Sequence, residues 1–238
     1  EVVKKEKPDV IVNTMGYSNI DFCESNKNNT EKLHVETTER ICNICESNGS
    51  KQIFLSSDYV FDGEKGDYSE NDIPNPVNFY GLSKLKAEQL ILKNPLNTII
   101  RTSVIYDWDY RARFFNYVID NLQKQQVVKA TTDVYNSITF LDNLVDSMLK
   151  VIKLEQNGIF HVVDSTCSNR FEFAKVIAKV FKLDENLVER VSVHDNLKNI
   201  AKRPKNACLN NSKAKQELEL DFNTIEEGIS KVFIKSKL

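Results

Sequence analysis

The sequence predicts an α/β protein, a doubly wound parallel sheet with a second, smaller unit. Three observations carry this. Short, continuously apolar runs at residues 9–14 and 52–55 suit strands buried on both faces. Segments with helical apolar periodicity separate such runs, which is the pattern of βαβ units. Asn13, Ser57 and Thr102 stand at the carboxyl ends of strand-like runs, where sheets of this class gather a ligand cleft.

The elements follow in order. Residues 9–14 form the first strand. Residues 30–47 read as a helix with Leu33, Thr37, Ile41, Ile44 and Cys45 on its apolar stripe. Residues 52–55 are the next strand, 79–92 a helix and 98–102 a strand. Helical spacing returns over 114–122, and 127–130 is a short strand. Residues 139–142 resemble a capping box for a helix to about 153, with Gly158 ending that region. Residues 159–163 form a strand, and a second capping box at 169–172 opens a helix to about 181. Beyond the Arg203-Pro204 break, helices are expected at 212–218 and 224–233. Residues 1–106 and 131–165 are expected to make one unit, and 107–130 and 166–238 the other.

The 238 residues are enough to bury a sizeable core. A formal net charge of −2 supplies no basic field for nucleic acid. No apolar run is long enough to span a membrane, and the first residues lack a signal-peptide pattern. A cytoplasmic enzyme is the expectation. The five cysteines, an odd number without an export signal, are expected to be reduced thiols. Cys42 and Cys45 read as buried small residues on a helix. His34, His161 and His194 are too scattered for a metal site.

The chemistry concentrates in Ser57, Tyr80 and Lys84. A strand-end hydroxyl, a tyrosine and a lysine four residues later can move a proton on a carbonyl/alcohol pair while a nicotinamide moves a hydride. Tyrosine alone titrates near pH ~10, and a neighbouring ammonium favours its phenolate. Asp58 and Tyr59 stand just past the strand, placed to face a polar substrate, although Asp58 could equally cap the turn. Arg101, ending a buried strand, is expected to pair with a carboxylate, or else to reach a nucleotide phosphate. Arg203 is a candidate for a substrate diphosphate, or else a solvated basic turn.

These residues are where a family resemblance enters. Residues 7–13, 20–24 and 56–63 (SSDYVFDG), then Tyr80-Gly81 and Lys84, and residues 203–213 near the C-terminus resemble the extended short-chain dehydrogenase/reductases. Within them the chain is similar to the dTDP-4-dehydrorhamnose reductase family, over nearly its whole length. The resemblance implies a Rossmann-like cofactor unit and a substrate-binding unit in the two segments given above. It implies catalysis by Ser57, Tyr80 and Lys84. Asn13, Thr14, Met15, Ser56, Tyr80, Lys84 and Thr102 would contact NADPH or NADH, and Asp58, Tyr59 and Arg203 a nucleotide-linked 4-keto-6-deoxy sugar. A homodimer would be in keeping with it. The same motifs also resemble the methionine adenosyltransferase beta subunit, which would imply a regulatory role beside a synthetase.

Three departures accompany the resemblance. The glycine-rich turn that holds the cofactor pyrophosphate is absent, so a further N-terminal segment is expected, and without it a gap in the sheet flanked by two open strand edges. His34 stands where the family has asparagine. Thr14-Met15-Gly16 replaces small residues beside Asn13, implying a reshaped nicotinamide pocket. Residues 136–139 also lack the family's proline.

Overall fold

The structure, a computed structural model, describes residues 2–108, 113–193 and 201–237; His194 lies outside the described residues. Its strands are β1 (Val10–Asn13), β2 (Lys51–Ser57), β3 (Thr98–Thr102), β4 (Ile105–Tyr106), β5 (Val128–Thr131), β6 (Tyr135–Ser137), β7 (Thr139–Phe140), β8 (Gly158–His161), β9 (Cys167–Asn169) and β10 (Val188–Val191). The helices are α1 (Val2–Glu6), α2 (Ile20–Ser25), α3 (Lys27–Glu31), α4 (Thr37–Asn48), α5 (Phe79–Ile91), α6 (Arg113–Gln123), α7 (Leu141–Lys153), α8 (Arg170–Phe181), α9 (Ser212–Glu217) and α10 (Ile225–Lys235).

The central sheet runs β1-β2-β3-β8, all parallel. Adjacent residues of its strands serve opposite faces. Ile53 and Ile100 join Leu144, Val151 and Phe160 on one face, while Phe54 and Ile99 meet Ala87 and Ile91 of α5 on the other. All five positions of β3 are buried, which is why its sequence shows no alternation. A second core forms where α6, α8 and α10 bring Phe115, Leu122, Phe173, Ile177 and Val232 together with Tyr106. Burying each such side chain stabilises the fold by roughly 1.5–3 kcal/mol.

Several expectations give way here. The sheet has no internal gap: its four strands are contiguous and β1 is an edge, with Val12 exposed. The helix expected over 30–47 carries a π-type turn at Lys32–Glu36. That wider turn rotates the buried stripe onto Thr30, His34, Thr38 and Cys45, and leaves Ile44 exposed. Thr139 is not a cap. It lies in β7 and donates to the Ser103 carbonyl, while α7 starts after Phe140 with no side-chain cap. Asn169 does cap α8 by accepting from the Glu172 N–H. Ala214, Leu218 and Phe222, assigned by sequence to the second unit, pack in the core of the sheet.

The cysteines are not all thiols. Cys167 and Cys208, 41 residues apart, form a disulfide, while Cys23, Cys42 and Cys45 are free. The pairing is tertiary. Strand β9 and the segment after Pro204 both lie beside β6, through the β6–β9 ladder and the Ala207 N–H bond to the Tyr135 carbonyl.

Candidate active site

The carboxyl ends of β2 and β3 open into a cavity of about 680 Å³. Parallel register sets Ser57 opposite Thr102 at its floor. From Ser57 the chain enters a single 3₁₀ turn, Asp58–Val60, capped when the Ser57 hydroxyl oxygen accepts the Tyr59 N–H at 3.2 Å. Ser57 donates to Asp58 at 2.9 Å, and Asp58 also accepts from Ser103 at 2.6 Å and Asn136 at 2.7 Å. Burial raises the Asp58 carboxyl and these three bonds lower it. Asp58 lines the cavity, yet its oxygens are taken by the protein; it orients Ser57 and Asn136 rather than waiting for a substrate. The turn's cap is Ser57, not Asp58.

Helix α5 brings the other two groups. Asn78 caps it by accepting the Gly81 N–H at 2.9 Å. A side chain at Gly81 would collide with the Tyr59 carbonyl, so glycine lets the first turn of α5 lie directly on the 3₁₀ turn. That contact sets the Tyr80 ring edge-on to Tyr59, with centroids 5.8 Å apart, next to Ser57. Burial lifts the Tyr80 phenol above its ordinary value, against a lowering hydrogen bond with Ser57. Tyr80 therefore holds its proton firmly. Lys84, one turn further, is buried and donates to the Leu55 carbonyl at 2.9 Å. Burial pulls it down to about 8, opposed by the charge of Glu88. Ser57, Tyr80, Lys84, Thr14, Ser56, Tyr59 and Thr102 all line this one cavity.

Three sequence candidates stand outside it. Asn13 and Met15 are absent from the lining. Asn13 accepts the Met15 N–H at 3.1 Å and donates to Thr38, so it shapes the loop that presents Thr14 and Gly16. Arg203 is the larger correction. Its guanidinium forks onto Asp21, with contacts of 3.1 and 2.7 Å, and does not reach the cavity. It ties the C-terminal segment to α2, and a paired arginine is a poor reader of phosphate. Arg101 does take a carboxylate, forking onto buried Glu88 at 2.9 and 2.7 Å. Glu88 also accepts from Ser56, which fixes that hydroxyl.

His34 has a role that its place in the sequence did not reveal. It is fully buried in the π-type turn, with Nε2 accepting the Tyr17 N–H at 2.8 Å. Its Nδ1 then carries the proton and donates to Ser83 at 2.8 Å, and Ser83 donates to the Tyr80 carbonyl. Burial and the Lys84 charge push the imidazole down to about 4, so it is neutral. The loop at Thr14–Ser18 and the helix of Tyr80 and Lys84 are thus joined through one ring. A side chain at Gly16 would come within 3.1 Å of His34 Nε2 and 3.2 Å of Lys84 Nζ. That bare backbone, an ammonium with two of its three protons uncommitted and the strand-end hydroxyls form a cradle that fits the nicotinamide end of a dinucleotide.

The comparisons with known proteins fall on the same ground. A family model described as the RmlD substrate binding domain matches residues 1–237. The chain belongs to this family. It is 28% identical over 228 residues to the dTDP-4-dehydrorhamnose reductase of Aggregatibacter actinomycetemcomitans, covering 90% of this chain and 77% of that one. The crystal structure of a hypothetical dTDP-4-dehydrorhamnose reductase from Sulfolobus tokodaii superposes with a TM-score of 0.86 at 37% identity, over 95% of this chain and 80% of that one. The Bacillus anthracis enzyme in complex with NADP gives 0.92 at 27% identity, over 98% and 83%. The chain is also 29% identical over 220 residues to methionine adenosyltransferase 2 subunit beta of Bos taurus, covering 87% of this chain and 64% of that one. Among the described residues, no helix is long and apolar enough to cross a membrane.

Among the cavity residues that sequence reasoning missed are the two arginines Arg113 and Arg170. Arg170 was visible only as the residue after a helix cap. No local signal marks it as facing a cleft, because the fold alone brings α8 over the ends of β2 and β3.

Proposed function

We propose that this protein is an NAD(P)H-dependent reductase of a nucleotide-linked 4-keto-6-deoxy sugar, of the dTDP-4-dehydrorhamnose reductase type, working in the cytoplasm. The observation that supports it best is the convergence of Ser57, Tyr80 and Lys84 on one cavity at the carboxyl ends of a parallel sheet. The reduced nicotinamide supplies the hydride that adds to the sugar's carbonyl carbon. Tyr80 gives its phenolic proton to the carbonyl oxygen, which completes the alcohol. Ser57, positioned by Asp58 and the Tyr59 N–H, turns its one proton from Asp58 to that oxygen and steadies it by a hydrogen bond. Lys84 sets a positive charge beside the phenolate left behind and uses its uncommitted protons on the cofactor. Thr14 and Gly16 form the wall of the nicotinamide cradle, with Ser56 and Thr102 at its base.

The test is the loss of NAD(P)H absorbance with a dTDP-4-keto-6-deoxy sugar. Turnover that depends on Tyr80 supports the reading. A folded sample without turnover, which instead binds a methionine adenosyltransferase and alters its rate, would turn the reading to the regulatory one.

A further inference from the structure

Two walls of the cavity carry opposite electrostatic characters. On the sheet side every charged group has a protein partner. Lys84 rests on the Leu55 carbonyl, Asp58 has three donors, and Asp107 accepts from Lys235 at 3.1 Å. On the facing side, Arg113 opens α6 and Arg170 opens α8, and both line the cavity. Among the described residues neither guanidinium makes an ion pair or a hydrogen bond. Arg170 is only laid over the Phe114 ring, 4.8 Å from its centroid. Arg113 precedes Phe114 at the start of α6, and its side chain lines the same cavity. The arginines elsewhere show the alternative: Arg101 forks onto Glu88 and Arg203 onto Asp21.

A half-buried, unpaired guanidinium costs free energy, which burial records by pulling Arg170 below its ordinary value. A cavity wall keeps such a group where an anionic ligand completes it, and guanidinium matches phosphate oxygens two at a time. We propose that Arg170, with Arg113 beside it, holds the diphosphate of the nucleotide sugar, in place of Arg203. The assignment rests on the reductase reading above. It also orients the substrate: the diphosphate sits at the mouths of α6 and α8, and the sugar lies between it and Tyr80.

Calorimetry with dTDP, thymidine and NADPH as probes tests it on the intact protein. Wild type should bind dTDP far better than thymidine, with the advantage shrinking as salt rises. Arg170→Met should weaken dTDP at least about tenfold and leave thymidine and NADPH within about twofold. Arg170→Lys should recover part of the loss, and Arg113→Met should show a smaller one. In turnover, Arg170→Met should raise KM more than it lowers kcat, since the arginine would hold the diphosphate and not the reacting carbonyl. An unchanged melting temperature certifies that the variant is folded. Wild-type dTDP affinity in a folded Arg170→Met would overturn the proposal and leave the reductase reading standing. Weakened NADPH with unchanged dTDP would overturn it too, by assigning the arginine to the cofactor phosphates. A wild type that binds dTDP no better than thymidine would overturn both the proposal and the nucleotide-sugar reading.

Discussion

The sheet-side wall of the cavity and the wall made by α6 and α8 are built on different principles. The first is finished before any ligand arrives: Ser56, Ser57, Asp58 and Lys84 are buried and bonded to one another, to Glu88 or to backbone. The second presents two guanidiniums that, among the described residues, make no ion pair, one of them laid over the Phe114 ring. Proton transfer needs atoms held within a fraction of an ångström, so its groups are locked by neighbours. Recognition of a charged ligand needs unspent donors, so its groups are left open. Substitutions in the first wall should therefore register in stability and rate, and those in the second in affinity alone.

The sharpest way to break that contrast lies beneath the sheet-side wall. Glu88→Ala leaves the Arg101 guanidinium buried without its carboxylate and frees Ser56. It should cost about 3–5 kcal/mol of stability, read from denaturant unfolding. A loss below about 1 kcal/mol would mean that this wall is less locked than its bonding implies. Next comes Tyr80→Phe, which removes the proton donor and keeps the ring packed on Tyr59 and His34. Turnover should fall about 10²-fold or more with NADPH affinity nearly unchanged; equal turnover would remove Tyr80 from its role.

His34 sharpens the comparison through pH. Its folded ring titrates near about 4, below the ordinary histidine value, and His161 is pushed to about 3, chiefly by burial. As pH falls from about 6.5, the unfolded chain takes up protons that these buried rings refuse, so the folded state loses stability. The His34 part of the loss is complete near pH 4 and amounts to about 3 kcal/mol. His34→Asn should flatten the acid side of the stability profile by that much, and a profile identical to wild type would contradict the neutral, bridging ring. The smallest effect concerns rate. Lys84 loses its proton near about pH 8, so reduction should decline above that pH while Tyr80 remains protonated. An alkaline limb that starts above pH 10 would show that Lys84 is charged throughout.

Much of this was legible in residue order. Apolar runs marked β1, β2 and β3 because strands buried on both faces need continuous hydrophobicity, and the segment of α5 between β2 and β3 read as the connecting helix. The Ser57, Tyr80 and Lys84 set was readable because each follows a local element, a strand end or one helical turn. Other expectations failed where distant segments compete for one group. Arg203 looked free because Asp21, its partner, lies far away in sequence. Cys167 and Cys208 looked unpaired because only the strands around β6 bring them together. The π-type turn escaped notice because periodicity assumes a constant pitch, and one wide turn moved the buried stripe to His34.

The sequence by itself determined the alternating architecture and pointed to the proposed reacting trio, since both rest on short spacings within single elements. Tertiary structure alone decided which arginine faces the cavity, which carboxylates are already spent and which histidine joins two walls. Those outcomes depend on where separate elements end in space, and charge pairing follows distance in the fold, not distance along the chain.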